Sequence, residues 1–274
     1  MNTKITVIVD NKRDKSKALG SEWGLALLIE HTGKKILLDT GGSDLFLKNM
    51  RKLGTDVADV DCAVLSHAHC DHANGMPAFF TNNSKAKFYL RESTSDNCYG
   101  KIGFLHFYAG IPRRILSDYQ DRIVMVSGDY SIMDGVYLIP HKTEGLSFIG
   151  KKGGMYRRTP QGLIPDDFSH EQSLVIDTAK GLVILNSCSH SGVENIINEV
   201  HSTFPDKHIY ALIGGFHLFS KPAPVIRDIA RAVDMMEIDL ICTGHCTKER
   251  AYRILKKELG DRLIQMKVGL CIEI

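Results

Sequence analysis

The sequence predicts an α/β fold, a sandwich of two mixed β-sheets with helices packed on the outside. Two observations carry that prediction. Apolar runs come first as hairpins and then alternate with segments of helical spacing, and the succession occurs in both halves of the chain. With 274 residues, 43% of them hydrophobic, the chain can bury a substantial core, read here as one domain over 1–274.

The first half opens with ITVIVD (5–10) and WGLALLIEHTGKKILLDTGG (23–42), the latter two apolar runs joined by a Thr-Gly turn and therefore a hairpin. LFLKNMRKLG (45–54) has helical spacing and stops at a glycine. VDCAVLSHAHCDHANGM runs a short strand straight into a dense group of histidines, and KFYL (87–90), RIVMV (122–126) and VYLIP (136–140) read as further strands. After position 170 come a hairpin (SLVIDTAKGLVILN), a helix (SGVENIINEVHSTF), a strand (HIYALIGG) and a longer helix (APVIRDIARAVDMMEI). DLICTG as strand, KERAYRILKKELG as helix and LIQMKVG as a last strand complete the order. Residues 98–120 and 146–168 mix Gly, Pro, aromatic and basic residues without a period; they read as irregular loops that either cover a site or are solvated and mobile.

The net charge of +2, from 34 Lys and Arg against 32 Asp and Glu, supplies no field that would gather nucleic acid or a membrane surface. A small-molecule substrate is the expected partner, and the sequence leaves the oligomeric state open. No signal-peptide pattern opens the chain and no run of about eighteen apolar residues could span a bilayer, so a cytoplasmic location is expected. Seven cysteines, an odd number, do not suggest a disulfide framework; Cys62, Cys98 and Cys271 are expected to be buried thiols.

Chemistry concentrates in SHAHCDHANG (66–75). Residues two apart on an extended backbone face the same side, so His67 and His69, at an exposed strand end, can hold one metal ion, while Asp71 and His72 at the turn into a helix can serve another. Two ions about 3.5 to 4 Å apart would hold a bridging hydroxide for a hydrolytic reaction. His190 and His245 each follow a strand and are expected to complete the set. His217, behind two glycines, is expected to touch metal or substrate, or else to be a hydrogen-bonded core histidine. His170 and Glu171 are candidates for a further ligand or a supporting carboxylate, and Asp39 is expected to hold the cluster from behind. Imidazole with carboxylate suits two divalent ions, zinc first, with iron or manganese as alternatives.

LLDTGG, SHAHCDH, His190 after a strand and the late His245, taken in that order, resemble the metallo-β-lactamase superfamily over nearly the whole chain. The resemblance implies a four-layer αββα sandwich with a dinuclear site at one edge, in which His67 and His69 serve one ion and Asp71, His72 and His245 the other. HEQSLV, GLVILNSCSHSGVENII, LIGGFHL and TGHCT are similar to the branch of metal-dependent hydrolases that includes the dihydropterin ribofuranosyl-aminobenzene phosphate synthases, which names a neighbourhood and not a substrate. Where the superfamily usually has a bridging aspartate, this chain has Cys188 and His190.

The expected function is a metal-dependent hydrolase, or a related transferase, that uses a metal-bound hydroxide on a small anionic substrate. Asp71 would orient the hydroxide and His217 would donate to the leaving group or oxyanion. Arg113, Arg114, Lys151, Lys152, Arg157 and Arg158 are candidates for recognising the anion. Two alternatives stand beside it: an iron-sulfur redox protein using Cys70, Cys188, Cys242 and Cys246, and a ligand sensor without catalysis.

Overall fold

Residues 3–274 are described by the structure, a computed structural model. β1 (Thr3–Val9), β2 (Ala26–His31) and β3 (Lys34–Leu38) form an antiparallel meander. Helix α1 (Leu45–Lys52) leads to β4 (Cys62–Val64), and short helices α2 (Cys70–Ala73) and α3 (Met76–Asn82) lead to β5 (Lys87–Arg91). β6 (Cys98–Ile102), β7 (Leu105–Tyr108) and α4 (Ile115–Asp118) intervene before β8 (Ile123–Val126), and β3, β4, β5 and β8 lie parallel.

The second half repeats the plan. β9 (Tyr130–Met133) and β10 (Val136–Pro140) are followed by α5 (Leu146–Gly153), β11 (Met155–Thr159) and β12 (Gly162–Pro165). β13 (Gln172–Thr178) and β14 (Gly181–Asn186) extend β9–β10 as antiparallel neighbours. α6 (Val193–Thr203), β15 (Ile209–Gly214), α7 (Ala223–Met235), β16 (Leu240–Thr243), α8 (Lys248–Leu259) and β17 (Leu263–Gln265) then add a parallel half. The sheets run β18-β1-β2-β3-β4-β5-β8 and β17-β16-β15-β14-β13-β10-β9, where β18 (Cys271–Glu273) pairs antiparallel with β1.

Strands buried on both faces explain why these runs are apolar without strict alternation. In β2, Leu27 and Ile29 face the layer between the sheets, with Leu174, Ile176, Ala211 and Ile213 from the other sheet. Ala26 and Leu28 face outward against Phe46 and Met50 of α1 and Phe79 of α3. On the far side, Val175, Ile184 and Leu212 pack against Ile196 of α6, Ala230 of α7 and Leu255 of α8. Three apolar layers between four layers of structure make the αββα sandwich.

Three expectations need correction. The last strand is β18, which is three residues long and alternates exposed, buried, exposed, too short to show a period; it exists because β1 offers a free edge. Cys271 lies on it and is exposed, whereas Cys62 and Cys98 are buried. Segments 98–120 and 146–168 contain regular structure, since β6, β7, β11 and β12 form a separate four-stranded sheet in the order β12-β11-β6-β7. Its strands are mostly exposed or half-buried, with Ile102, Phe104 and Leu105 open to solvent, so no hydrophobic alternation marks them. No helix among the described residues is long and apolar enough to cross a membrane.

Candidate metal centre

The candidate side chains gather where parallel strands end. β4 stops at Val64, β14 at Asn186, β15 at Gly214 and β16 at Thr243, and just beyond them lie His67 to His72, Cys188 with His190, His217, and His245. Carboxyl ends of parallel strands are where α/β folds place ligands. Asp39, Ser189, His217 and His245 all have positive φ (62°, 57°, 49° and 48°), backbone that non-glycine residues adopt only when their surroundings hold them there.

His67 and His69 do not lie on one extended strand, although His69 itself has extended dihedrals (φ -99°, ψ 149°). The strand has already ended, and a tight turn, in which the His69 N–H donates to the His67 carbonyl at 3.0 Å, brings their rings to 4.7 Å between centroids. Nor is the cluster exposed: His67 and His72 are fully buried and His69 is 8% exposed.

Asp39 organises the group from behind. Its Oδ1 accepts the Ser66 N–H at 2.7 Å, and its Oδ2 accepts the hydroxyls of Ser66 (2.7 Å) and Ser187 (2.5 Å) and the His72 Nδ1–H (2.8 Å). Because the single Ser66 hydroxyl proton goes to Asp39, its oxygen must accept from His67 Nδ1, 2.8 Å away. His245 is fixed similarly: Asn11 donates its amide to the His245 carbonyl, and its Oδ1 accepts from His245 Nδ1 at 3.1 Å. In all three rings Nδ1 carries the proton and Nε2 presents a lone pair to the cluster.

His67 Nε2 and His190 Nε2 are buried without a hydrogen-bond partner among the described residues, as is His217 Nδ1. His72 Nε2 and His245 Nε2 face each other at 3.2 Å, with Asp71 Oδ2 at 3.6 and 3.5 Å and Cys188 Sγ 3.3 Å from His72 Nε2. A proton on His72 Nε2 or a metal ion can lie between this pair, whereas the His67, His190 and His217 nitrogens have no protein partner among the described residues, and this donor set fits a metal ion.

Donor atoms of His67, His69 and His190 lie within 4.8 Å of one another, as do those of His67, His72 and Cys188 and those of Cys188, His190 and His217. Cys188 is therefore shared between two of these donor groups. Burial, reinforced by the neighbouring imidazoles, holds His67 and His190 well below the usual histidine range and His69 at about 4, so all three are neutral ligand forms. Burial opposes charge on Asp71 and His72 as well. The imidazoles of His72 and His245 nevertheless hold Asp71 below the usual carboxylate range, and Asp71 and Asp39 lift His72 to about 9.

Other candidates have different roles. His170 Nδ1 accepts the Ala68 N–H at 3.1 Å and its Nε2 donates to Asp166 at 3.1 Å, so the ring braces the His67–His69 turn, while donor atoms of His69, Cys98, Asp166 and His170 also lie within 4.8 Å of one another. Both Glu171 oxygens accept the His190 backbone N–H at 3.1 Å. The Phe168 ring stacks on His190 at 4.7 Å and 8°, fixing its orientation. Cys242 lies in the apolar layer between the sheets, so it does not join Cys70, Cys188 and Cys246. The sequence gives no signal for Ser66, Asn11 or Phe168 as supports, because ordinary residue types acquire that role only by proximity.

Behind Glu171 is His141, buried between Glu171 and Glu199. Burial disfavours its charge, but the two carboxylates raise it from 6.5 to about 9. The folded state thus binds this proton more tightly than the unfolded chain. The contribution, roughly 3 kcal/mol, is complete below about pH 6.5 and fades as pH rises toward 9. Thermal unfolding is expected to show that decline across this window, and His141→Gln to flatten it.

A pocket of about 260 Å³ opens onto His69, Asp71, Cys188, His190, His217 and His245. Trp23, Tyr99, Phe107, Met155 and Phe219 wall it, two strands of the small sheet contributing Tyr99 and Phe107. Lys101 is the lysine or arginine on its lining among the described residues. The six basic residues expected to bind an anion are elsewhere: Arg113 and Arg158 stack on Tyr108 and Tyr99, Arg114 and Arg157 pair with Asp118 and Asp167, and Lys151 and Lys152 are exposed on α5.

A family profile described as the metallo-β-lactamase superfamily matches residues 24–154. A curated relative from Methanocaldococcus jannaschii, named 7,8-dihydropterin-6-methyl-4-(β-D-ribofuranosyl)-aminobenzene-5'-phosphate synthase, is 26% identical over 288 positions, covering 99% of this chain and 97% of that one. A crystal structure described as a metal-dependent hydrolase of the β-lactamase superfamily superposes with a TM-score of 0.85 at 29% identity, covering 99% of both chains. A diphosphatase of the PhnP family shares the fold at a TM-score of 0.57 and 14% identity, over 100% of this chain and 98% of its own.

Proposed function

The chain belongs to the metallo-β-lactamase superfamily, and from that premise we propose that it is a metal-dependent hydrolase, or a related transferase, with a two-ion centre and a small anionic substrate. The observation that supports this best is the set of buried, unpartnered imidazole nitrogens converging on one pocket wall. His67, His69 and His190 would hold one ion, Asp71, His72 and His245 the other, with Cys188 between them in place of a bridging aspartate. When bound, the ions supply Lewis acidity and make water more acidic. Zinc suits this mixture of imidazole, carboxylate and thiol donors, and iron or manganese are the alternatives.

The chain's own residues then orient and move protons. Asp71, whose side chain is 20% exposed, accepts a hydrogen bond from the attacking water through the oxygen not turned to His72 and His245. His217, half-buried on the pocket lining, passes a proton to the leaving group. The small sheet formed by 98–108 and 155–165 covers the site and excludes water from one side. The wall of Trp23, Tyr99, Phe107 and Phe219 suits a flat aromatic or heterocyclic group, in keeping with the pterin and aminobenzene in the relative's name. Lys101 would meet the anionic end.

The rival iron-sulfur reading is disfavoured by Cys242, which packs among apolar side chains and is pushed up to about 12 by burial. Elemental and sulfide analysis of protein purified without added metal and without air separates the two. Zinc, iron or manganese at about two ions per chain without acid-labile sulfide is expected. Iron with matching sulfide, or protein that takes up no metal when offered it, would overturn the proposal.

A further inference from the structure

Cys188 and Cys246 come from loops after β14 and β16, strands separated in the sheet by β15. They meet because β15 ends in Gly214-Gly215. A Cβ on Gly215 would lie 2.5 Å from Cys246 Sγ and 2.6 Å from the Ser187 carbonyl, so any other residue there would push the two loops apart. With glycine in place, the Gly215 N–H donates to the Ser187 carbonyl at 2.9 Å, which seats the Cys188 loop against the end of the strand. The donor atoms of Cys188, His245 and Cys246 then fall within 4.8 Å of one another.

Both thiols are buried, at 3% and 1% exposure, yet both lie on the pocket lining, which a molecule as small as a peroxide can enter. Cys246 Sγ also accepts the His217 backbone N–H at 3.2 Å, which fixes the sulfur on the Cys188 side of the pocket wall. We propose that Cys188 and Cys246 form a peroxide-sensitive dithiol at the wall of the pocket, closed over Gly215 and convertible to a reversible disulfide. The Cys246 sulfur attacks one peroxide oxygen and breaks the O–O bond, giving a sulfenic acid and one water. Cys188 then attacks that sulfur, the S–S bond forms and a second water leaves, so two thiols and one hydrogen peroxide become a disulfide and two waters. A consequence that rests on the proposed function is that oxidation withdraws Cys188 from between the two ions and switches the centre off.

The test treats metal-free protein with hydrogen peroxide, counts thiols after unfolding and maps peptides. Of the seven cysteines, five are expected to remain titratable, with a Cys188–Cys246 peptide pair that dithiothreitol separates. Cys246→Ser and Cys188→Ser, confirmed folded by circular dichroism, should each lose the cross-link, and Cys70→Ser, which alters the other pocket-lining thiol, should keep it. A link through Cys70, or single oxidation without a link, would overturn the dithiol. Zinc loaded first should slow oxidation of the wild type at least about tenfold, since a ligating thiolate is not free to react. A cross-link that forms at the same rate with zinc present would leave the dithiol standing and remove Cys188 from the metal centre.

Discussion

If the chain is the proposed two-ion hydrolase, replacing His67 and His72 together with alanine is expected to remove both ions and to lower turnover by at least about a thousandfold, because such hydrolysis at neutral pH depends on the acidity that the ions confer on water. The pair is chosen because the proposed centre gives each ring to a different ion, and both are held from behind by the Asp39 and Ser66 network. A phosphodiester such as bis(4-nitrophenyl) phosphate, or whichever phosphoester, lactone or thioester first shows turnover, provides the assay. Metal analysis is run on the same samples, with circular dichroism to confirm that the sheets remain. Turnover retained in a folded, metal-free double variant would refute the mechanism.

Asp39→Ala should cost most in stability. The carboxylate is fully buried and accepts from two hydroxyls, one backbone N–H and one imidazole, drawn from the loops after β4 and β14 and from α2. Removing it strands four donors away from water, which costs roughly 3–5 kcal/mol by analogy with breaking a buried charged pair. Two imidazoles also lose what fixes their tautomer, His72 directly and His67 through Ser66, so metal affinity should fall by about 10–100-fold or more. Asp39→Asn preserves volume but turns an amide N–H₂ toward groups that donate; an intermediate loss of affinity is expected with smaller destabilisation. Isothermal titration with zinc and thermal unfolding measure the two effects separately. Unchanged zinc affinity in Asp39→Ala would show that the imidazoles are held by other contacts.

Much of the fold was legible in the chain. Hairpins and helices were readable because a strand buried on both faces is a continuous apolar run, and α6, α7 and α8 each present one apolar stripe to a sheet. The small sheet was not, since its residues face water and so carry no hydrophobic period. In the site, HAHCDH stands out by composition alone, whereas its geometry combines an extended His69 with a turn contact back to His67 that alternation along one strand does not describe. The sequence leaves His170 open as a further ligand or a support. Only the contacts of both ring nitrogens reveal it as a brace.

By itself, then, the sequence determined the layered α/β class, the residue types available as donors and the strand ends that carry them. These follow from local periodicity and from side-chain chemistry that does not change with context. Tertiary structure decided which nitrogen of each imidazole faces the cluster, that Cys188 lies close to both His72 and His190, that Cys242 is remote, and that Lys101 rather than the arginine clusters lines the pocket. Those outcomes depend on contacts between residues as far apart as Asn11 and His245, or Asp39 and Ser187, and chain closure over such separations leaves no local trace in the sequence.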